Sequence, residues 1–414
     1  MSLAWSYLWN NLLRTHIILF IFGHVIAISV AFSANTKEHR AFKTAGKISL
    51  ENRYFPDPGM YKNTKQYEGS LGINPEFKAF WDESKSVFSF TPYIFLSTPD
   101  NEKTHVDVRE LSYTNTFGKF ILKAGISTVY WGANGSRLLV DIVNQTDIVL
   151  NIEGGDKLGQ PMLSLSHQWD IGRLDLFILP YFRERTFNGV EGRPRGQLFV
   201  DQNSALYEHE DEERHIDYAG RFLVQLGKLD LGISHFRGTD RTPQYVLAAN
   251  QSSLRPFYVQ GHQTGLDFKY SYESLLVKYE GIFNNAHTTN SYLAQTLGFE
   301  YTIYKFYNGV DINLFYEHIY DDRGESSAAI FNNHSVIGGR IYFNDKKSTE
   351  FLFAPSFYNR TGHLETIRAR IGQMLTKHIK WELEVNTISS RKKTLLLYPL
   401  RKDDFFEARL RYFF

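Results

Sequence analysis

The amino-acid sequence predicts an all-β fold, a transmembrane antiparallel up-and-down β-barrel of about 18 strands, with about 16 as the alternative. Polar and apolar residues alternate with a period of two, as in strands that have one face exposed to water and one apolar face. Short and long connections tend to alternate between these strands, which a Greek-key sandwich does not require. Aromatic residues make up 15% of the chain, and membrane barrels use them in girdles at both interfaces.

The carboxy-terminal strand shows the alternation most clearly, because one face is apolar and the other carries Glu407, Arg409 and Arg411. The apolar face consists of Phe406, Ala408, Leu410, Tyr412 and Phe414. This strand resembles the closing strand of Gram-negative outer-membrane β-barrels. The resemblance implies that Leu410, Tyr412 and Phe414 form a signal for the barrel assembly machinery. An amphipathic edge strand of a soluble sheet is the alternative.

Period-two segments predict eighteen strands in all. They span residues 46–54, 68–80, 87–97, 104–116, 119–129, 161–170, 173–183, 215–227, 229–238, 257–271, 274–283, 291–304, 309–318, 334–343, 348–358, 363–373, 378–388 and 404–414. In the strand 104–116, the consecutive Arg109 and Glu110 can both face the lumen only if the strand contains a bulge.

The predicted connections alternate between tight turns such as 117–118 and 227–228 and longer loops such as 130–160 and 184–214. Membrane barrels of bacteria place short turns in the periplasm and longer loops outside the cell. An even number of strands then leaves both termini in the periplasm.

The amino terminus is predicted to be a signal peptide, residues 1–33, which directs export before insertion into the outer membrane. Arg14 and His16 precede an apolar run at 17–31, and small residues follow it. Cleavage is expected after Ser33, with Ala34 as the alternative site and an uncleaved membrane anchor as the alternative interpretation. Residues 34–414 would then form a single barrel domain.

Composition excludes several classes of protein. A formal net charge of +1 and the lack of a basic stripe argue against nucleic-acid binding. The chain has no Cys, so disulfides, thiolate metal sites and cysteine nucleophiles are impossible. No apolar run past residue 34 approaches the ~20 residues that a membrane-spanning helix requires.

The segment 133–147 is the most unusual part of the interior. We expect a short helix that begins near Ser136 and folds into the lumen, with Leu138, Leu139, Ile142 and Val143 packed on the barrel wall. An extracellular flap with its own small core is the alternative. If the segment lies inside the barrel, its polar residues narrow the water path. The predicted constriction residues are Arg137, Asp141, Asn144, Gln145 and Asp147.

Around this segment the sequence resembles a porin-like family of outer-membrane barrels whose members are largely uncharacterised. The shared pattern is a strand with Arg-Glu and Tyr, a Gly turn, a Phe-x-Leu-x-x-Gly strand, Trp-Gly, and an Asp-(Ile/Val)-x-Asn-Pro-x-Asp sequence. It matches here Arg109, Glu110, Tyr113, Gly118, Phe120, Leu122, Gly125, Trp131, Gly132, Asp141, Asn144 and Asp147. Gln145 stands where a Pro is common. The match covers about 40 residues and implies a pore with an inward third loop, but no particular substrate.

The alternation also predicts charged side chains that face the lumen in two opposing arcs. The acidic arc includes Asp267, Glu280 and Asp311, together with Asp217, Asp230, Glu300 and Glu317. The basic arc consists of Arg340, Arg368, Arg370, Arg409 and Arg411. Such arcs orient polar solutes, whereas charges that merely pair with one another would only stabilise the wall.

These features predict an outer-membrane channel for passive diffusion of small polar or anionic solutes, without catalytic residues, metal or cofactor. The expected partners are outer-membrane lipids, the assembly machinery and the solute. The first alternative is a narrow or plugged barrel that binds surface polysaccharide or a partner through its outer loops. The second is an outer-membrane hydrolase, for which His235 is the only in-strand candidate. The acidic stretch 208–215 lacks the ligand spacing of a calcium loop.

Overall fold

The chain folds into a closed barrel in a computed structural model that describes residues 41–150, 154–288 and 290–414. The predicted signal peptide and its cleavage site lie outside the described residues. Within the described ranges, no helix is both long enough and apolar enough to span a membrane.

Eighteen antiparallel strands form the barrel, which confirms the predicted fold class and strand number. They are β1 (Ala41–Tyr54), β2 (Tyr67–Trp81), β3 (Ser86–Thr98), β4 (His105–Phe117), β5 (Phe120–Ser127), β6 (Gln160–Trp169), β7 (Gly172–Leu179), β10 (Asp217–Leu226), β11 (Leu229–Thr239), β14 (Gln260–Tyr272), β15 (Leu275–Ala286), β16 (Tyr292–Ile303), β17 (Asp311–Asp321), β18 (His334–Tyr342), β19 (Glu350–Tyr358), β20 (His363–Met374), β21 (Ile379–Ile388) and β22 (Phe405–Phe413).

Four short strands lie in the connections and form a separate small sheet. They are β8 (Phe199–Val200), β9 (Leu206–Tyr207), β12 (Gln244–Leu247) and β13 (Ser253–Tyr258). The described residues also contain five 3₁₀ turns: Asn101–Lys103, Gln202–Ser204, Glu212–Arg214, Gly324–Ser326 and Tyr398–Leu400.

The barrel closes where β1 pairs with β22, with Ser49 opposite Arg411. Closure removes the free edges that an open sheet would expose. The predicted bulge in β4 is confirmed, because Glu110 lies opposite Thr91 whereas Val108 lies opposite Pro92. Arg109 is therefore an extra residue on its strand, and both it and Glu110 are partly buried.

The outer surface of the barrel is apolar and the inner surface is polar. Leu50 and Leu383 are 49% exposed on the outside, whereas Glu384 and Glu407 on the inner face are 6% and 3% exposed. A barrel in a membrane has this arrangement, since its outside contacts lipid.

Short and long connections tend to alternate, as predicted, although the loop-end connection 359–362 is short. At one end of the barrel they include two-residue turns at 118–119, 170–171 and 227–228, and we call this the turn end. The other end carries long loops such as 128–159 and 180–216, and we call it the loop end. By the usual orientation of such barrels, the turn end faces the periplasm and the loop end faces the outside of the cell.

Candidate functional site: the barrel lumen

The connection between β5 and β6 folds into the barrel, and we call its described residues, 128–150 and 154–159, the inward loop. Leu139, Val140, Ile142 and Val143 are at most 7% exposed. They join a hydrophobic cluster with wall residues that include Met162, Phe177, Leu179, Ala219, Phe236, Ile282 and Ala294. The expected packing on the wall is thus seen for Leu139, Ile142 and Val143, whereas Val140 belongs to the cluster in place of Leu138, which is half-buried outside it.

The predicted short helix that begins near Ser136 is wrong, because the segment 133–147 contains no helix. Its backbone N–H groups donate to wall carboxylates instead of to carbonyls one turn earlier. Glu280 accepts from four of them, and the N–H groups belong to Ala133, Asn134, Leu139 and Val140, at 2.6–3.3 Å. Glu317 accepts from Gly135 and Ser136, both at 2.8 Å. The carboxylates of Glu280 and Glu317 together accept six backbone N–H groups, so these donors are satisfied without a helix.

Gly132 allows the loop to approach Glu280 this closely. Its φ is +104°, and a Cβ added there would lie 2.6 Å from a Glu280 carboxylate oxygen. Any side chain at this position would both strain the backbone and collide with the acceptor.

Arg137 and Asp141, two of the predicted constriction residues, are paired, and their side chains are 15% and 2% exposed. Arg137 donates to Asp321 at 2.9 Å and to the carbonyl of Phe331 at 3.1 Å. Asp141 forms an ion pair with Lys157 and accepts the backbone N–H of Trp131 at 3.1 Å. Both side chains line a cavity of about 230 Å³ on the loop-end side of the inward loop.

The other three predicted constriction residues, Asn144, Gln145 and Asp147, are at most 2% exposed. Asn144 bridges the N–H of Val129 and the carbonyls of Ser127 and Leu158 at 2.8–2.9 Å. The side-chain amide of Gln145 donates to the carbonyl of Arg183 at 3.2 Å. These groups anchor the loop to its surroundings, and their role in a constriction stays a prediction.

Asp147 lies at the centre of a buried polar network. It accepts from His105 at 3.0 Å, from Arg109 at 2.5 Å and from Thr186 at 2.8 Å. Burial by itself would raise the pKa of the Asp147 carboxyl, but the hydrogen bond from His105 and the charge of Arg109 outweigh burial and hold that pKa below its usual value. The pattern residues Arg109 and Asp147, 38 positions apart in the sequence, are therefore direct partners.

The predicted acidic arc faces inward, but most of its carboxylates are occupied. Asp267 pairs with Arg221 at 2.8 Å, and Glu317 pairs with Lys278 at 3.2 Å in addition to holding the inward loop. Asp267, Glu280 and Glu317 are at most 5% exposed. Asp311 lies at the turn end, where it accepts the N–H of Lys305 at 2.7 Å.

The predicted basic arc is more accessible and larger than expected. We define the basic wall as the inward-facing cations of β1, β20 and β22: Lys47, Arg53, Arg368, Arg370, Arg409 and Arg411. They line a cavity of about 270 Å³ together with four carboxylates, Glu51, Asp156, Glu384 and Glu407. The sequence analysis missed Lys47 and Arg53, although both follow the period-two pattern of the first strand.

Cross-strand ion pairs stabilise the basic wall. Arg368 pairs with Glu384 at 2.8 Å, Arg409 with Glu51 at 2.8 Å, and Arg411 with Glu382 at 2.5 Å. The buried Nε of Arg370 has no hydrogen-bond partner in the part of the chain that the structure describes. The basic wall is thus held in place mainly by ion pairs between neighbouring strands.

Arg340, the remaining predicted cation, lies apart from the basic wall. It lines a smaller cavity of about 100 Å³ with Lys278 and Glu300, and its guanidinium is 5.1 Å from the centre of the Phe315 ring.

A cluster centred on Arg193 lies at the loop end and was not predicted. Arg193 is 1% exposed, and its guanidinium pairs with Asp403 at 2.7 Å and donates to the carbonyl of Asp57 at 2.9 Å. It therefore joins three connections, 55–66, 180–216 and 389–404. Nothing in the period-two pattern could reveal this cluster, because its partners are distant loop residues without periodicity.

His235 faces outward on β11, and its Nδ1 lies 3.0 Å from the hydroxyl of Thr264. No carboxylate is within ion-pair distance of its ring among the described residues. Across the same ranges, no three or more His, Asp or Glu side chains are placed together as metal ligands would be.

No family model matches the sequence, and no curated protein matches it. Several solved outer-membrane structures resemble the fold. One is a loop-deletion mutant of OmpT, an outer membrane protein of Vibrio cholerae, with 9% identity and a TM-score of 0.46 over 91% of this chain and 100% of that chain. Another is a mutant of Rh. blastica porin, with 11% identity and a TM-score of 0.47 over 90% of this chain and 100% of that chain. The function argued below therefore depends on the side chains of this lumen.

Proposed function

We propose that this barrel is an outer-membrane channel for passive diffusion of small anionic solutes. One observation carries the proposal: the loop backbone and basic partners occupy most of the acidic arc, whereas the basic wall lines an accessible cavity. A solute in the lumen therefore meets an excess of cations, six against four carboxylates in that cavity. Rings and arcs of arginine favour anions in pores.

We expect the path to be narrow. Cavities of about 230 Å³ and about 270 Å³ lie beside the inward loop, which lines both of them. The cluster around Arg193 holds three loops together at the loop end. Both features support a channel of low conductance that selects by charge and size.

Planar-bilayer recording of the full mature chain tests the proposal. In a gradient of KCl the reversal potential should show chloride preference over potassium, with small unitary steps. Arg370→Glu should move the reversal potential toward cation preference, because a carboxylate replaces a cation of the basic wall. Lys346→Glu makes the same charge change at an exposed turn and should leave the reversal potential unchanged. Cation preference in the parent protein would refute the proposal.

A barrel that binds a partner through its loops is the second candidate. Among the residues that the structure describes, the short strand β12 pairs only with β13, and its Tyr245, Val246 and Leu247 are 44%, 41% and 50% exposed. An exposed apolar edge strand can add a strand from another chain. Correctly folded protein that conducts no ions at all would favour this function over the channel.

A further inference from the structure

The outer face of the barrel carries an unusual row of polar side chains near the loop end. The strand register places Tyr218 beside Arg237, Arg237 beside His262, and His262 beside Asn285, on the neighbouring strands β10, β11, β14 and β15. Alternation directs all four side chains outward, away from the lumen. Three of them are exposed and His262 is half-buried.

The rows nearer to the turn end become apolar on the same four strands. The next outward row contains His235 and Thr264, and the one after it contains Phe222, Ile233 and Leu266. The polar row therefore lies at the edge of the apolar band, where the cost of a charge on the lipid face falls to about 0–1 kcal/mol. We call His235, Arg237, His262 and Thr264, together with Tyr218 and Asn285, the outer-face patch.

Arg237 supplies the permanent charge of the outer-face patch. Its side chain is exposed, and its guanidinium forms no ion pair within the described residues. The ring centroids of His235 and His262 are 6.0 Å apart, and that of His287 lies 6.4 Å beyond His262. Glu208 is 3.4 Å from His287, and it also accepts the backbone N–H of Gln260 at 2.6 Å. That carboxylate is therefore already engaged at the margin of the patch.

We propose that the outer-face patch binds the phosphate group of a lipid in the outer leaflet. A phosphate offers several strong acceptor oxygens, and Arg237 with the imidazole, phenol and amide donors beside it offers a matching row of N–H and O–H groups. Basic pockets at the level of lipid headgroups recognise phosphate in this way. The acyl chains of the same lipid would lie along the apolar rows below.

A second copy of this chain fits the patch less well than a phosphate does. In a twofold-symmetric contact the patch would face itself, so that Arg237 would approach Arg237 without an intervening carboxylate. Charge complementarity therefore favours the anionic lipid. The inference is independent of whether the lumen conducts.

Native mass spectrometry of the refolded full chain tests this site. The probes are bisphosphorylated lipid A, the same lipid with both phosphates removed, and inorganic phosphate. The parent protein should retain the bisphosphorylated lipid and release the dephosphorylated one. Arg237→Ala combined with His262→Ala should weaken retention about tenfold, because charge-assisted hydrogen bonds are lost.

His318→Ala is the matched control. His318 also faces outward in the loop-end half of its strand, where its Nδ1 lies 3.4 Å from the Ser335 hydroxyl, and it is remote in sequence from the patch. Its loss should leave lipid retention unchanged. Heat-modifiable mobility on gels verifies that each variant is folded.

Three outcomes would overturn the proposal. Equal retention of both lipids would show that acyl chains alone bind. Binding of inorganic phosphate without any gain from the lipid would assign the patch to a free anion. Loss of a dimer mass in the double variant, with lipid retention unchanged, would assign it to contact between copies.

Discussion

The two sides of the lumen use inward charges in different ways. On β15 and β17, Glu280 and Glu317 are at most 3% exposed, and each accepts backbone N–H groups of the inward loop. On the basic wall, carboxylates such as Glu382 and Glu384 accept from guanidinium groups of neighbouring strands. Both sides follow the same period-two pattern, but among the described residues only the carboxylates of the first side accept backbone N–H groups from the inward loop.

A charged side chain that faces the lumen is therefore not always accessible to a solute. The sequence pattern predicts two opposing arcs and therefore a transverse field across the lumen. The inward loop covers Glu280 and Glu317, and wall cations pair with Asp267 and Glu300, so the accessible field is largely that of the basic wall. In the proposed channel, the inward loop would therefore affect the charge of the pore as well as its width.

Deleting Phe414 should have the largest effect, because it removes the last residue of the strand segment that closes the barrel against β1. Phe414 and Gly46 exchange two backbone hydrogen bonds, each of 3.1 Å, and Phe414 is 44% exposed on the outer face. We expect at least a tenfold loss of folded, protease-resistant protein in outer membranes. Phe343→Ala removes an exposed aromatic residue from a turn and serves as the control. Normal levels of folded protein after the deletion would contradict the assembly role.

Replacing Glu280 by Ala should have the next largest effect, because four backbone N–H groups lose their acceptor. Hydrogen bonds to charged groups contribute about 1.5–3 kcal/mol each, so the loop should leave the wall. We expect a several-fold rise in single-channel conductance. The chain has no Cys, so Leu138→Cys provides a unique label whose reaction rate should rise in the same variant.

Glu382→Gln is the matched variant on the opposite side. Its carboxylate pairs with Arg409 and Arg411 and makes no bond to the inward loop. Conductance should stay near that of the parent, while anion preference should increase. If Glu280→Ala and Glu382→Gln changed conductance equally, the two sides of the lumen would not differ in the way the structure indicates.

The fold could be predicted because a barrel strand is a local pattern. Each of the eighteen predicted strands corresponds to an observed one, and the bulge followed from the adjacent charges of Arg109 and Glu110. Closure required no further information, since an up-and-down barrel pairs its first strand with its last. The inward positions of Lys47 and Arg53 also follow from the period-two pattern, so these lumen charges could have been predicted from the sequence.

The conformation of the inward loop could not be predicted in the same way. Helical spacing at 136–147 was a local signal, but Glu280 and Glu317 supply acceptors from more than 130 positions away in the sequence. Val140, which the helical pattern placed off the apolar face, is fully buried. Long-range acceptors therefore overrode local propensity, and only the folded barrel brings them together.

Arg137→Glu should have the smallest effect of these changes. It tests how far the charges beside the inward loop are already neutralised by their partners. Arg137 contacts Asp321, but Arg323 also binds that carboxylate at 2.7 Å, so Asp321 keeps a partner after the substitution. The new carboxylate would face the cavity of about 230 Å³, which Arg241 and Arg323 also line. We therefore expect a reversal-potential shift toward cations that is smaller than the shift caused by Arg370→Glu, with little change in conductance. A shift as large as that of Arg370→Glu would mean that solutes pass the inward loop as closely as they pass the basic wall.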